Sequence, residues 1–165
     1  MKKKILLLNI ALRPQSIGRY FSVGTGYIAT MMKKAGIEFD IYDNELLRHD
    51  DSVVHQYLKE NRYDIYMMGT LITGYKTVKK YSEWIREIVP EAVIIAGNSV
   101  ASAIPELLLR NTEVNIASIG EGDVTNIELL RTLENGTDLN QVKGIAFLDE
   151  NQQFVETGKR APIEN

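Results

Sequence analysis

The sequence predicts an α/β domain, a three-layer doubly wound parallel sheet of strand order 2-1-3-4-5 with a hairpin at its C-terminal end. Short runs that are apolar on both faces recur at regular intervals, segments of helical periodicity separate them, and the alternation changes character after Gly136. Strands covered by helices on each side are apolar throughout, whereas half-exposed hairpin strands alternate. A strand-helix-strand succession of this kind closes with right-handed crossovers.

The first strand is the run "KKKILLLNI", which ends at Asn9-Ile10. "EFDIYD" (38–43), "YDIYMMGT" (63–70), "EAVIIAG" (91–97) and "EVNIASIG" (113–120) supply the other four. Between them, residues 18–35 read as a helix with Val23, Tyr27, Met31 and Ala35 on one face and Gly36 as the stop. Residues 52–60 start at a Ser52 cap, and residues 76–89 carry Val78, Tyr81, Ile85 and Ile88 inward before Pro90. A helix over 105–110 opens on proline, which suits a first turn. The last helix, 125–134, opens with the capping-box pattern Thr125-x-x-Glu128 and closes at Asn135-Gly136. Beyond it, "VKGIAFLDENQQFVETG" reads as two antiparallel strands around Asp149-Glu150-Asn151. Residues 1–157 form one domain on this reading, and 158–165 begin a linker.

Composition limits the function. A chain of 165 residues with 44% hydrophobic content suits one well-buried domain. The 19 basic and 22 acidic residues are interspersed and give a net charge of −3, so no basic stripe marks a nucleic-acid partner. No stretch approaches the roughly 18–20 apolar residues of a membrane span. Lys2-Lys3-Lys4 leads straight into a strand, with no cleavage site behind it, which argues against a signal peptide. The chain contains no cysteine, so it holds no disulfide, thiolate metal site or iron–sulfur ligand of its own, and a reducing cytoplasm is the expected location. The sequence leaves homodimer formation open.

In a sheet of this order the ligand site lies beyond the carboxyl ends of the strands. Four loops therefore matter: "ALRPQSIG" with Pro14 and Gln15, "GTLITGY" with Thr70, Leu71, Thr73 and Tyr75, "GNSVAS" with Gly97, Asn98 and Ser99, and "GEGDVT" with Gly120, Glu121 and Gly122. Glycine lets backbone approach a ligand closely, and the hydroxyls offer polar groups without bulk. In the last loop, Gly120-Glu121-Gly122 feeds a helix whose N-terminal end suits a polar or anionic ligand. The plainer reading makes the glycines a turn and Glu121 a hydrogen-bonding partner of nearby amides. Gly24 and Gly26 within a helical segment mark close packing, against the first strand or beside a ligand. His49 and His55 are six apart, a spacing that fits no local metal pair, and both read as surface or packing residues. "IYMM" (65–68) reads as buried strand, and Tyr81 and Trp84 as cover for the sheet.

The Arg13-Pro14 loop, "GYIATMMKKAGIEFDIYD", "YDIYMMGTLIT", Pro90-x-x-x-Ile-Ile-Ala-Gly97 and "GEGDVT" followed by "ELL" resemble, in that order, the N-terminal cobalamin-binding domain of radical S-adenosylmethionine enzymes. The similarity covers residues 3–156. That family includes methyltransferases and anaerobic magnesium-protoporphyrin IX monomethyl ester cyclases. The resemblance implies a flavodoxin-like fold that binds cobalamin, with the dimethylbenzimidazole tail buried among the strand-end loops. It also implies a separate barrel carrying S-adenosylmethionine and a [4Fe–4S] cluster on a Cys-x3-Cys-x2-Cys motif. That motif is absent here, so the chain looks like the cofactor domain of a longer enzyme, with the barrel as its partner.

By the same resemblance, Thr70-Leu71 match a Ser-x-Leu-like position whose hydroxyl bonds the tail base, with Thr73 a second donor and Tyr75 a candidate corrin contact. Gly97 matches the first of a glycine pair and Asn98 departs from the second, where its side chain would crowd the tail. Gly120, Glu121 and Gly122 match the last loop. The Asp-x-His-x-x-Gly motif that supplies a cobalt ligand in other cobalamin families is missing, which argues against histidine ligation.

Three other readings stand beside this one. A phosphorylated receiver domain needs acids at the ends of the first and third strands, where this chain has Asn9 and Thr70. A flavin domain wants a richer phosphate loop than "RPQSIG". A degenerate domain that binds no cofactor and serves for docking or oligomerisation is the third.

Overall fold

The computed structural model describes residues 2–11, 19 and 21–160. Along the chain run β1 (Ile5–Asn9), α1 (Val23–Lys34), β2 (Asp40–Asp43), α2 (Asn44–Leu47), α3 (Asp51–Glu60), β3 (Ile65–Gly69), α4 (Tyr75–Ile88), β4 (Val93–Gly97), α5 (Asn98–Ala103), α6 (Pro105–Asn111), β5 (Ile116–Ser118), α7 (Gly122–Asn135), β6 (Ile145–Leu148) and β7 (Phe154–Glu156). They build a seven-stranded sheet of order β2-β1-β3-β4-β5-β6-β7. The first five strands pair in parallel, and the β6–β7 hairpin joins β5 antiparallel, with Ala117 opposite Ala146.

Alternation along β1 explains the three layers. Leu6 and Leu8 point to one face, where with Tyr66 and Ile94 they meet Val54 and Leu58 of α3, Val78 and Ile85 of α4, and Leu108 of α6. Ile5 and Leu7 point to the other, with Ile65, Met67 and Ile95, against Met32 of α1 and Leu129 and Leu130 of α7. Each such large apolar side chain removed from water contributes about 1.5–3 kcal/mol before chain entropy is charged against it.

Local signals fix the helix ends. The Asp50 carboxylate accepts from the Ser52 and Val53 amides and starts α3, so the cap is Asp50, with Ser52 already inside the helix. A carboxylate that can take two amides outcompetes the expected serine hydroxyl. Pro105 opens α6, and Gly136, at φ 65°, ends α7. The Thr125-Glu128 pattern does not cap. The α7 helix begins three residues earlier, at Gly122, because Gly120 at φ 77° turns the chain into helical geometry sooner, and Thr125 is fully buried within it.

Two further differences concern the site. The residues after β4, expected as a loop, form α5 at once, with Gly97 as its cap residue and Asn98 in the left-handed region at φ 65°. The packed face of α1 is also offset from the stripe that starts at Val23 and Tyr27. Met32 is buried and Ile28 and Ala29 pack on the sheet, while Val23 is 73% and Tyr27 60% exposed. Apolar periodicity marks a stripe without saying what faces it, and the first half of α1 faces open space at the strand ends.

The histidines occur in packing positions: His49 Nδ1 lies 2.7 Å from the Tyr42 hydroxyl, and the His55 ring is 4.9 Å from that of Trp84. Trp84 in turn stacks on Tyr81. Among the described residues, no helix is long and apolar enough to cross a membrane.

Candidate functional site

A cleft of about 600 Å³ opens at the carboxyl ends of the strands, between α1 and α7. Its floor is apolar, made by Leu7 and Leu8 of β1, Met67 and Met68 of β3 and Ile95 of β4. Parallel register brings Gly69 beside Gly97 at its edge. No described atom stands within 4 Å of where a Cβ on Gly97 or Gly120 would be. That open space is a cradle which side chains would fill, and it holds room for a ligand against bare backbone. One wall is α1, through Ser22, Gly24, Thr25, Tyr27 and Ile28, so Gly24 does lie at the cleft.

Two residues of the cleft lining each carry a buried polar atom without a partner among the described residues. Ser118 Oγ, on the last residue of β5, and Asn126 Oδ1, on the second turn of α7, make no hydrogen bond among the described residues. Leaving such groups unsatisfied costs about 1–3 kcal/mol each. A ligand carrying hydrogen-bond donors on an otherwise apolar body would cover the floor and, with a turn of these two side chains toward it, relieve both. Neither residue is among those expected from the sequence. Ser118 reads there as one polar position in a core strand, and Asn126 as ordinary helix. The usable signal was asparagine on the same stripe as Leu129 and Leu130, where α7 is buried.

The expected site residues divide. Gly97, Asn98, Gly120, Glu121 and Gly122 line the cleft. Thr70, Leu71, Thr73, Tyr75 and Ser99 are not part of its wall. Tyr75 packs against the core on the α3/α4 face, and Ser99 Oγ accepts from the Ile72 amide at 3.0 Å, tying the third loop to the fourth. The Thr70 carbonyl accepts from the Val100 amide, while its buried hydroxyl lacks a partner among the described residues. Pro14 and Gln15 lie outside the described residues.

Asn98 adopts the backbone that a glycine would take, so the chain path survives the substitution, and its Oδ1 accepts from the Ser99 amide at 2.6 Å. The Glu121 side chain makes no capping bond to α7, against the plainer reading of that loop. At the position where a receiver domain needs acids, Asn9 donates to Asp43 at 2.7 Å.

Fold and site together define a doubly wound α/β domain with a glycine-lined cleft at the strand ends, the place where such sheets hold ligands. The B12 binding domain family model matches residues 16–130, and the chain belongs to that family. It is 30% identical over 86 residues to an anaerobic magnesium-protoporphyrin IX monomethyl ester cyclase of Synechocystis sp., a match covering 52% of this chain and 17% of the relative. It is 26% identical over 199 residues to a cytidylyl-2-hydroxyethylphosphonate methyltransferase of Streptomyces wedmorensis, covering 98% of this chain and 37% of the relative. The solved structure of the cobalamin-dependent S-adenosylmethionine radical enzyme OxsB with aqua-cobalamin bound is similar in fold, with a TM-score of 0.82 at 18% identity, over 97% of this chain and 23% of that one. The chain therefore spans well under half of each of these proteins. Cobalamin, the cofactor expected from the sequence, is the one this family is named for.

Proposed function

We propose that the cleft between α1 and α7 binds cobalamin and that the domain presents it to a radical S-adenosylmethionine barrel within a longer protein. The observation that carries this reading is the pairing of a bare glycine cradle with two orphaned polar atoms, Ser118 Oγ and Asn126 Oδ1, over an apolar floor. The floor residues cover the apolar body of the ligand. Ser118 and Asn126 fix its orientation by accepting its donors, and Gly97 and Gly120 keep the backbone close enough to exclude water. Bound cobalamin supplies a cobalt centre able to carry a methyl group.

The reaction of the whole protein is methyl transfer or a cyclase-like conversion, as the names of the two curated relatives suggest. The cluster and S-adenosylmethionine belong to the barrel on this reading, since the present chain has no cysteine. Residues 1–157 are the cofactor domain and 158–165 the start of the connection, in the reducing cytoplasm. The exposed Tyr27 lines the cleft and the exposed Val23 lies one turn before it on α1, where the corrin or the barrel would cover them. Retention of the purified chain on a cobalamin-bearing resin, reversed by free hydroxocobalamin, tests the reading. Passage of folded protein straight through the resin and through a desalting column uncoloured would refute it.

A further inference from the structure

The chain leaving β7 is fastened to β6 and to α7, the helix that forms one side of the cleft. Thr157 N donates to the Ile145 carbonyl at 3.0 Å and Gly144 N to the Gly158 carbonyl at 2.9 Å. Arg160 then reaches α7: its Nε donates to Thr125 Oγ1 at 3.0 Å, and its Nη2 pairs with the Glu128 carboxylate. The buried Thr125 hydroxyl also donates to the Lys143 carbonyl at 3.3 Å. At the other side of the loop, Ile119 N donates to the Gly144 carbonyl at 2.8 Å. The cleft-lining residues 120–122 are thus flanked by two anchored positions, Ile119 and Thr125, held by two stretches, 143–144 and 157–160, that are bonded to each other.

The clasp depends on guanidinium chemistry. Thr125 Oγ1 and the Glu128 carboxylate lie on one α7 face, and a planar fork can serve both, whereas an ammonium engages one with direction. The Arg160 side chain is about three-quarters buried, so solvent screens this pair less than an ordinary surface one. Asn126, which lines the cleft, is next in sequence to the clasped Thr125.

We propose that Arg160 is a positioning residue for the cleft, coupling the conformation of the 120–122 loop to the segment that leaves the domain. On the reading given above, the ligand is a corrinoid. Coupling of this kind is reciprocal: a clasp that favours the ligand-ready loop is itself tightened by the ligand.

The test compares the wild-type chain with Arg160→Ala, Arg160→Lys and Glu128→Gln. Each is titrated with hydroxocobalamin and followed by amide hydrogen exchange at Gly144 and Thr157, with urea unfolding as the control for folding. Arg160→Ala is expected to weaken binding about fivefold or more, with Arg160→Lys and Glu128→Gln between it and wild type. Ligand is expected to slow exchange at Gly144 and Thr157 in wild type and to leave it unchanged in Arg160→Ala, a difference that simple destabilisation would not produce. Should Arg160→Ala fail to fold, Arg160→Lys and Glu128→Gln carry the same comparison. Wild-type affinity and wild-type ligand-induced protection in the folded variants would overturn the coupling alone. A wild-type chain that binds no corrinoid would overturn the cofactor reading and this coupling with it.

Discussion

The side-chain amide of Asn126 lies directly over the α-carbon of Gly122, one helical turn away, so closely that a Cβ on Gly122 would fall 2.5 Å from Nδ2 and 2.9 Å from Ile28 Cδ1. Glycine at 122 therefore serves the α1–α7 contact as well as the cleft. Gly122→Val has to push the ends of the Asn126 and Ile28 side chains aside. We expect it to lower stability by about 1–3 kcal/mol through overpacking, seen as a reduced urea midpoint. An unchanged midpoint would mean that α1 and α7 part more easily than this packing implies.

Gly97 is the cleaner probe. Its backbone is extended (φ −135°), a region open to any residue, and its Cβ direction is empty. Gly97→Leu should cost at most about 1 kcal/mol as a poorer helix cap, while filling the cradle and weakening hydroxocobalamin binding at least tenfold. Equal affinity in the two proteins would move the ligand elsewhere.

Ser118→Ala should separate folding from binding in the opposite sense. The hydroxyl is buried and unpaired among the described residues, so its removal leaves the free domain as stable as before or slightly more so. The lost contact should weaken cobalamin binding about fivefold, the equivalent of one hydrogen bond of about 1 kcal/mol. A loss of stability in the free protein, with affinity intact, would identify Ser118 as a structural group.

Alkali should unfold the domain through its buried phenols. Burial pushes Tyr81 up from 10.0 to about 12, and burial raises Tyr42 and Tyr66 as well. Between pH 10 and 12 the unfolded chain releases the Tyr81 proton while the folded chain keeps it, so stability falls as pH rises through that window. Tyr81→Phe should flatten the decline measured by denaturant unfolding at pH 9 to 12. A slope identical to wild type would show that Tyr81 ionises in place.

The fold was readable because its signals are redundant. Each of β1, β3 and β4 is a run buried on both faces, and Gly69 and Gly97 end two of them in register. Of the positions expected from the sequence, those that line the cleft, Gly97, Asn98 and residues 120–122, stand where glycine or a glycine-like backbone marks the loop. Ser118 and Asn126 escaped because a single polar residue among apolar neighbours looks alike whether it meets a ligand or a carbonyl. The stripe of Val23 and Tyr27 shows the same limit: it is apolar, yet both side chains are exposed and Tyr27 lines the cleft, because that end of α1 lies at the open strand ends. The capping box misled because Gly120 starts the helix before Thr125 can cap it.

Cobalamin held in the strand-end cleft, as proposed above, would colour the protein. The most direct measurement is a visible-absorbance titration of the purified chain with hydroxocobalamin, followed by desalting, in parallel with Gly97→Leu. We predict saturable spectral change and colour that stays with the wild-type protein but is lost from the variant. A folded wild-type chain that emerges colourless, or a variant that retains colour equally, would contradict the account.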